Sequence, residues 1–324
     1  MKTLVLSAQQ QADIAKAAQL IEQGELVAVP TETVYGLAAD ARNAQAVAKI
    51  FAAKGRPTNH PLIVHLADHT KMADWAKTVP ETALKLAAAF WPGPLTLLLN
   101  KAEGVSDVVT GGLTTVGLRV PAHPALLSLL QQYDLAVAAP SANPYKKLSP
   151  TCAEHVLTGL NGKLAAVLDG GACEHGLEST IVDLTGDTVQ ILRAGPITAN
   201  ELSAVLGQPV TQPQQHNKAV PGNVKAHYQP NTLLRVMNKT QLNEALQSVT
   251  AQIALLSFET KSDKPNVHFV AMPTDAKDYG QVLFRELGKA DTLGLAEIWL
   301  ESPPQGQQWL AAHDRLKRAA THLG

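Results

Sequence analysis

The stretch from Leu26 to Leu66 constrains the fold more than any other part of the chain. It begins with LVAVPTETVYGLAADA and ends with KGRPTNHPLIVHL, and a segment with a helical pattern lies between them. This order of strand, polar turn, helix, basic turn and strand is typical of α/β folds, in which sites form where strands end. The apolar runs end in polar or charged residues, namely Thr31, Glu32, Thr33, Lys54, Arg56, His60 and His65. We therefore predict that this stretch forms part of a binding site.

The composition predicts a globular protein with two domains. The chain has 324 residues, of which 45% are hydrophobic and 17% charged, and its formal net charge is -1. This length is enough for two domains that each bury a core, and the charge shows no basic excess of the kind that favours nucleic acid. Cys152 and Cys173 are too few for a disulfide framework and favour a reducing compartment.

The start of the chain and its apolar runs predict no membrane segment. MKTLVLSAQQQADIAK has an apolar centre of only Leu4 to Leu6, which fits neither a signal peptide nor an anchor. No run approaches the roughly 20 apolar residues that a membrane helix needs. We expect a cytoplasmic protein without membrane contact.

Helix signals recur along the chain. A helix is predicted near Ala44 to Lys54 from the spacing of its apolar residues. Thr151 with Glu154, and Thr198 with Glu201, have the spacing of capping boxes. We therefore expect one helix to begin after each of these two threonines.

Residues 208–230 differ in character from the sequence on either side. They are rich in Gln, Pro and Asn and have no periodicity, which is typical of a linker. Strand and helix patterns alternate before and after them. We predict a first domain over residues 1–207, a linker over 208–230, and a small doubly wound α/β domain over 231–324.

Several cations have surroundings that suggest anion binding. Lys54 and Arg56 flank Gly55 at a predicted helix end, where they could bind phosphate oxygens or simply complement the helix dipole. Arg119 lies within the apolar strand VGLRVP, where an unpaired charge is costly, so its partner should be a ligand anion or an internal carboxylate. Arg193 in QILRAG is a similar case. Because the chain lacks a Walker P-loop and a G-x-G-x-x-G motif, side chains and turn amides would have to hold any nucleotide.

Small polar residues in turns are further candidates. Ser141, Asn143, Ser179 and Thr180 lie in turns where hydroxyls and amides can converge on an anion, although turn formation is the commoner role of such residues. No G-x-S-x-G elbow is present, which disfavours a covalent hydrolase.

A zinc site is disfavoured. The cluster that could form it comprises Cys152, His155, Cys173 and His175. The first two fall on a predicted helix, and the gap between the last two is shorter than the usual ligand spacing.

Taken together, the motifs resemble those of one family. PTETVYGLAADA, KGRPTNHPLIVHL, WPGPLTLLL, VGLRVPAHP, APSAN, SPT, GLESTIVDL and ILRAGPI follow one another as in the YrdC-domain proteins, the L-threonylcarbamoyladenylate synthases. PGNVKAHYQP resembles the linker of the long, two-domain (Sua-type) form. The resemblance implies an α/β fold: a large YrdC-like twisted mixed-sheet domain with helices, followed by a small Rossmann-like α/β C-terminal domain. It also implies that residues 1–207 are the catalytic domain and that the linker over residues 208–230 closes over the active site.

The resemblance also implies an activity and roles for individual residues. The reaction joins L-threonine, bicarbonate or CO2, and ATP into threonylcarbamoyl-AMP and pyrophosphate, for N6-threonylcarbamoyladenosine in tRNA. L-threonine would be bound by Thr33, His65, Arg119, the main chain at Ala139, and Ser179. ATP would be bound by Lys54, Arg56, His60, Thr115, Ser141, Asn143, Ser149, Arg193 and either Tyr228 or His227. The residues expected to carry catalysis, by alignment and charge, are Lys54, Arg56 and Arg119.

The expected cofactor is Mg2+, bound through the ATP phosphates and not by a metal site of the protein. The expected partners are the downstream proteins that transfer the threonylcarbamoyl group to tRNA, with a weak contact to tRNA itself. The alternative is an RNA-binding or ribosome-assembly factor without this activity. Such a factor would favour a basic stripe, whereas the candidate cations Lys54, Arg56, Lys146 and Lys147 of the first domain are scattered.

Overall fold

The computed structural model describes residues 2–213, 218–222 and 226–323, which form two compact units. The first unit comprises residues 2–145, 150–174, 178–213 and 218–222. The second comprises residues 146–149, 175–177 and 226–323. Residues 218–222, which are part of the predicted linker, therefore group with the first unit.

The first unit is built on a mixed sheet. Its strands are β1 (Leu4–Ser7), β2 (Val27–Val29), β3 (Gly36–Asp40), β4 (Ile63–His65), β5 (Leu95–Asn100), β6 (Thr115–Arg119), β7 (Val137–Ala138), β8 (Ala166–Asp169), β9 (Thr180–Asp183) and β10 (Gln190–Arg193). They lie in the order β1-β8-β2-β3-β7-β4-β6-β5-β9-β10. Because β4 runs parallel to β6 while β5 runs antiparallel to it, the predicted mixed sheet is confirmed.

Helices cover this sheet. They are α1 (Gln11–Glu22), α2 (Ala44–Lys54), α3 (Glu81–Phe90), α4 (Asp107–Thr110), α5 (Pro124–Gln132), α6 (Ala153–Leu160) and α7 (Ala199–Leu206). The predicted span of α2 is confirmed, and so is the capping box of Thr198 and Glu201 at the start of α7. The box predicted at Thr151 is wrong. Cys152 is the N-cap of α6, and the hydroxyl of Thr151 instead lies 3.4 Å from His155 Nδ1.

The two faces of the sheet explain where polar residues can lie. Successive residues of β2 enter opposite hydrophobic clusters, Ala28 on one face and Val27 and Val29 on the face covered by α1 and α5. Within the described residues, the second of these clusters contains no residue of β4, β5, β6 or β9. On β4 and β6, the face that α1 and α5 cover elsewhere carries His65 and Arg119. The candidate site therefore lies where these two helices no longer cover the sheet.

The second unit has a parallel sheet of its own. Its elements are β11 (Leu233–Met237), α8 (Lys239–Ser248), β12 (Ile253–Ser257), β13 (Val267–Ala271), α9 (Ala276–Asp291), β14 (Glu297–Glu301), α10 (Leu310–Ala319) and β15 (His322–Leu323). The strands lie in the order β13-β12-β14-β11-β15 and pair in parallel. This confirms the predicted small Rossmann-like α/β unit. Across the described parts of both units, every helix is too short or too polar to cross a bilayer.

Candidate active site

Arg119, the last residue of β6, is the centre of a buried hydrogen-bond network. Its Nη2 donates to Glu32 Oε1 at 2.6 Å and to Thr33 Oγ1 at 3.0 Å, and its Nε donates to the Gly93 carbonyl at 3.2 Å. The other oxygen of Glu32 accepts from the Ala122 N–H at 3.0 Å. Among the described residues none accepts a hydrogen bond from Nη1. The guanidinium is therefore held in place by Nε and Nη2, and Nη1 is available to donate to a ligand.

The partner of Arg119 is an internal carboxylate, one of the two alternatives that the sequence left open. The side chains of Arg119 and Glu32 are each 4% exposed. Burial would raise the pKa of Glu32, but the charge and hydrogen bond of Arg119 outweigh it and lower the pKa. Glu32 is therefore ionised, and the pair is neutral as a whole.

His65 ends β4 and lies beside Arg119 in the parallel register. Burial and the Arg119 charge lower the pKa of His65 to about 3, so the imidazole is neutral at physiological pH. Its Nδ1 is buried and makes no hydrogen bond with the described residues. A neutral ring beside a fixed arginine suits a polar ligand that carries both a carboxylate and other hydrogen-bonding groups.

Ser179, just before β9, is tied to the same edge of the sheet. Its hydroxyl lies 2.8 Å from the Thr96 hydroxyl and accepts from Arg193 Nη2 at 2.9 Å. Arg193 Nε also donates to the Ser179 carbonyl at 3.0 Å. Gly195 packs against this turn so closely that a Cβ there would lie 2.3 Å from the Thr180 nitrogen. We call Glu32, Thr33, His65, Arg119 and Ser179 the Arg119 cluster.

Lys54, the last residue of α2, holds the turn that follows β7. Its side-chain Nζ donates to the main-chain carbonyls of Ser141 and Asn143, and lies 3.5 Å from Asn143 Oδ1. Burial, with a smaller contribution from the Arg56 charge, holds the pKa of Lys54 well below its usual range. Three of the predicted ATP ligands are thus brought together, and the lysine orders the turn that carries the other two.

Arg56 and His60 lie on the loop after α2. Arg56 Nη2 donates to the Pro61 carbonyl at 3.0 Å. His60 packs edge-on against Tyr145, with 5.6 Å between ring centroids, and burial together with the Arg56 charge lowers its pKa. We call Lys54, Arg56, His60, Ser141 and Asn143 the Lys54 cluster.

One face of β6 connects the two predicted ligand regions. Thr115, Gly117 and Arg119 alternate onto the same face, and the strand rise places Thr115 about 13 Å from Arg119. We call this face the floor of the site; at Gly117, midway between the two residues, a Cβ would lie 3.3 Å from Thr96 Cγ2. Val220, from the predicted linker, packs on this face with Ile63 and Leu98, which flank Gly117 in the register.

Ala139, Arg193 and Ser149 are predicted site residues that lie outside the two clusters. The Ala139 N–H donates to the Ile63 carbonyl at 3.1 Å, so this main chain lies beside β4. Arg193, predicted for ATP, donates to the Ser179 and Pro221 carbonyls, and its ATP role stays a prediction. Ser149 is buried and groups with the second unit. The ATP role of Ser149 stays a prediction.

Tyr228 is also part of the second unit. It is 1% exposed, stacks on Phe284 with 5.4 Å between ring centroids, and has the Arg315 guanidinium 5.4 Å above its ring. Its φ of 61° lies in the left-handed region, which is unfavourable for a bulky residue unless packing holds it. Its predicted contact with ATP stays a prediction as well.

Two family models cover most of the chain. The Sua5/YciO/YrdC model, whose description is telomere recombination, matches residues 19–195. A model described as the threonylcarbamoyl-AMP synthase C-terminal domain matches residues 197–321. The chain belongs to the Sua5/YciO/YrdC family.

Curated members of the Sua5/YciO/YrdC family resemble the chain over nearly its full length. The threonylcarbamoyl-AMP synthase of Pyrococcus abyssi is 38% identical over 94% of this chain and 93% of that relative. The one of Bacillus subtilis is 38% identical over 95% of this chain and 92% of that relative. Among solved structures, P. abyssi Sua5 complexed with L-threonine superimposes with a TM-score of 0.90 at 34% identity, covering 100% of this chain and 99% of that one. Escherichia coli YciO, at 22% identity and a TM-score of 0.54 over 60% of this chain and 95% of that one, shares the fold.

Sequence reasoning gave no role to Glu32 and Thr96. Glu32 lies 87 positions from Arg119, so no local pattern links them. The usable signal was the need of a buried arginine for a carboxylate, since Glu32 is the acidic residue within the polar turn PTETV. Thr96 gave no such signal, because a threonine in an apolar strand is commonly a packing residue.

Proposed function

We propose that the chain is a threonylcarbamoyl-AMP synthase that condenses L-threonine, bicarbonate or CO2, and ATP. The observation that carries this proposal is the near full-length similarity to proteins of that name, together with the 0.90 TM-score to P. abyssi Sua5 complexed with L-threonine. By reaction type the enzyme would be a nucleotidyltransferase, since it moves an adenylyl group from ATP to an oxygen of the carbamate.

L-threonine would bind in the Arg119 cluster. Nη1 of Arg119 is the group that would take the carboxylate, because Nη2 and Nε are already engaged. Thr33, His65, Ser179 and the Ala139 main chain would contact the rest of the amino acid. Because Glu32 neutralises the charge of Arg119, the empty site has no net charge from this pair. The only charge added on binding would be that of the substrate.

ATP would bind over the Lys54 cluster and extend along the face of β6 past Thr115. Arg56 and Lys54 supply positive charge for the phosphates, and the turn of Ser141 and Asn143, fixed by Lys54, supplies polar groups. The proposed role of Arg193 is to hold Ser179, so its effect on ATP would pass through the site's geometry. Ser149 and Tyr228 remain in the proposed ATP set.

The chemistry balances without a protein nucleophile. The threonine amine and bicarbonate give a carbamate and water, and a carbamate oxygen then attacks the α-phosphorus of ATP. The bond between that phosphorus and the bridging oxygen to the β-phosphorus breaks, which releases pyrophosphate. The protein would align the two substrates and stabilise the charge on the phosphates.

Mg2+ would enter with ATP and neutralise phosphate charge. The site's own carboxylate does not fit as a metal ligand, because Arg119 and the Ala122 N–H occupy the two oxygens of Glu32. Binding through the phosphates, with Lys54 and Arg56 as additional cations, agrees with this arrangement.

The linker would close over the bound substrates. Lys218 pairs with the buried Asp183, Val220 packs on Ile63 and Leu98, and the Pro221 carbonyl accepts from Arg193 at 3.0 Å. A segment held at these points on the floor of the site would exclude water from an adenylate that hydrolyses readily. The product would then pass to proteins that transfer the threonylcarbamoyl group to tRNA.

The deciding experiment measures pyrophosphate release from ATP with all three substrates and with each one omitted. We expect release only when L-threonine and bicarbonate are both present, together with an adenylate that has the mass of threonylcarbamoyl-AMP. Tight RNA binding without this product would overturn the proposal in favour of a non-enzymatic RNA-binding role.

A further inference from the structure

The contacts of the Thr31 hydroxyl fix where the nearby protons lie. Its Oγ1 is 2.6 Å from the Val34 carbonyl oxygen, which has no proton to give, so Thr31 donates in that contact. The 2.8 Å contact between the hydroxyls of Thr31 and Thr33 therefore has Thr33 as its donor. The main-chain N–H groups of Thr33 and Val34 also lie 3.1 Å from Thr31 Oγ1 and share its remaining lone pair, because two hydroxyl oxygens 2.8 Å apart need the Thr33 proton between them.

These contacts leave Thr33 with acceptor capacity only. Its single hydroxyl proton is directed to Thr31, and one lone pair accepts from Arg119 Nη2 at 3.0 Å. The second lone pair accepts from no group among the described residues. Thr31 and Thr33 are 2% and 1% exposed, so there is little water that could reorient this chain of hydroxyls.

We propose that Thr31 is a positioning residue that makes Thr33 a hydrogen-bond acceptor for the α-amine of the substrate. This rests on the proposed function, in which Arg119 Nη1 binds the carboxylate of an amino acid. The amine of an α-amino acid is attached to the carbon beside the carboxylate. A carboxylate on Nη1 therefore brings the amine next to the Thr33 oxygen that is bound to Nη2 of the same guanidinium.

The same arrangement serves the next step of the reaction. When the amine becomes a carbamate nitrogen, it keeps one N–H and remains a donor. An acceptor at Thr33 can thus hold this nitrogen before and after the new C–N bond forms. A hydroxyl proton pointing to the same position would face the N–H groups of an ammonium or of the carbamate nitrogen and would weaken binding.

Two substitutions at Thr31 separate this role from simple packing. Thr31→Val keeps the shape of the side chain but removes the hydroxyl, which frees the Thr33 proton to point at the ligand. Thr31→Ser keeps the hydroxyl and should preserve the wild-type proton arrangement. Thr158→Val, on the exposed side of α6, makes the same chemical change away from the site and is the matched control.

Binding to the full-length chain is measured by calorimetry or competition for three ligands and for ATP. L-threonine and L-2-aminobutyrate carry the amine, whereas 3-hydroxybutyrate keeps the carboxylate and hydroxyl but lacks it. In Thr31→Val we expect the Kd of both amine-bearing ligands to rise about tenfold, the ratio that 1.4 kcal/mol represents. The Kd values of 3-hydroxybutyrate and ATP should stay unchanged, and Thr31→Ser should bind all four like the wild type.

Several results would overturn the proposal. An equal loss for all ligands in Thr31→Val would show that the residue is only structural, and a loss confined to 3-hydroxybutyrate and L-threonine would show that Thr33 contacts the hydroxyl. Unchanged binding of L-threonine would exclude the role altogether. If Thr31→Val fails to fold, Thr31→Ser still tests it, since weak L-threonine binding there with normal ATP binding contradicts the proposal.

Failure of the proposed function is distinguishable from failure of this inference. If wild-type chain forms no threonylcarbamoyl-AMP and does not bind L-threonine, the function itself is wrong. If the wild type does both and Thr31→Val behaves like it, only the role of Thr31 is wrong.

Discussion

Arg119 and Lys54 are both buried cations, at 3% and 5% exposure, but their partners differ in kind. Arg119 pairs with the carboxylate of Glu32 and keeps Nη1 available. Lys54 has no carboxylate partner among the described residues and donates to main-chain carbonyls of the turn at Ser141 and Asn143. The Arg119 cluster is therefore a neutral, prearranged site, whereas the Lys54 cluster is a loop held in shape by a costly buried charge.

This difference fits the two substrates proposed for the enzyme. A small amino acid offers few atoms to recognise, so its site must hold each polar group in a fixed orientation before binding. ATP brings its own negative charge, which would stabilise the buried Lys54 ammonium and restore its pKa toward the ordinary value. Substitutions in each cluster test this contrast.

Removal of Arg119 should have the largest effect on stability. Arg119→Met leaves the Glu32 carboxylate buried without its partner, at a cost of about 3–5 kcal/mol in the free energy of unfolding. The double variant Glu32→Gln, Arg119→Met should recover much of this, because no buried charge remains. Urea denaturation at neutral pH measures both. Equal destabilisation of the single and double variants would show that the pair does not act as a buried ion pair.

The pH dependence of stability provides a second test of the Arg119–Glu32 pair. The folded pKa of Glu32 lies below its ordinary value of 4.5. Its contribution to stability is therefore fully present above pH 4.5 and is lost as the pH falls through the folded pKa. We expect the difference in free energy of unfolding between wild type and Glu32→Gln to shrink as the pH is lowered below 4.5 and through the folded pKa of Glu32. A difference that stays constant with pH would contradict the assigned ionisation.

Substitution of Lys54 and substitution of Arg56 should differ in their effect on stability. Lys54→Met removes the ammonium that donates to the carbonyls of Ser141 and Asn143, so we expect a loss of about 1–3 kcal/mol in stability as well as loss of pyrophosphate release. Arg56→Met, at a half-buried position, should abolish pyrophosphate release with a stability change below about 1 kcal/mol. Thermal unfolding and pyrophosphate assays on both variants measure this. Retained turnover in both would remove the Lys54 cluster from the proposed mechanism.

Much of the fold and part of the site can be predicted from local sequence patterns. The need of Arg119 for an anion, the span of α2 and the capping box at Thr198 follow from local patterns, and the structure agrees with each. Glu32 could not be assigned to Arg119 because the contact depends on how distant strands are ordered in the sheet. Tyr228 illustrates the same limit, since its stacking partner Phe284 belongs to another element far along the chain.

A Gly195→Ala substitution should weaken the Arg119 cluster through Ser179 alone. The added Cβ would lie 2.3 Å from the Thr180 nitrogen and 2.6 Å from the Ser179 carbonyl carbon, so the turn must shift. We expect about 1–3 kcal/mol of destabilisation and a several-fold rise in KM for L-threonine with little change for ATP. Gly186→Ala is the matched control, because no atom lies within 4 Å of a Cβ there. An equal rise in both KM values would mean that Ser179 does not belong to the amino-acid side.

Lys218→Met should have the smallest effect, and it should not distinguish the two clusters. Lys218 is 43% exposed and pairs with the 1% exposed Asp183, whose other oxygen keeps the N–H and hydroxyl of Thr185. The loss in stability should therefore stay near or below about 1 kcal/mol and diminish at high salt. Because Val220, two residues on, packs over the middle of the floor, KM for L-threonine and KM for ATP should rise together by a few-fold. Lys71→Met, which breaks an exposed ion pair with Asp134, is the control and should leave both unchanged. A rise in only one KM would show that the segment closes over one cluster and that the two sites are covered independently.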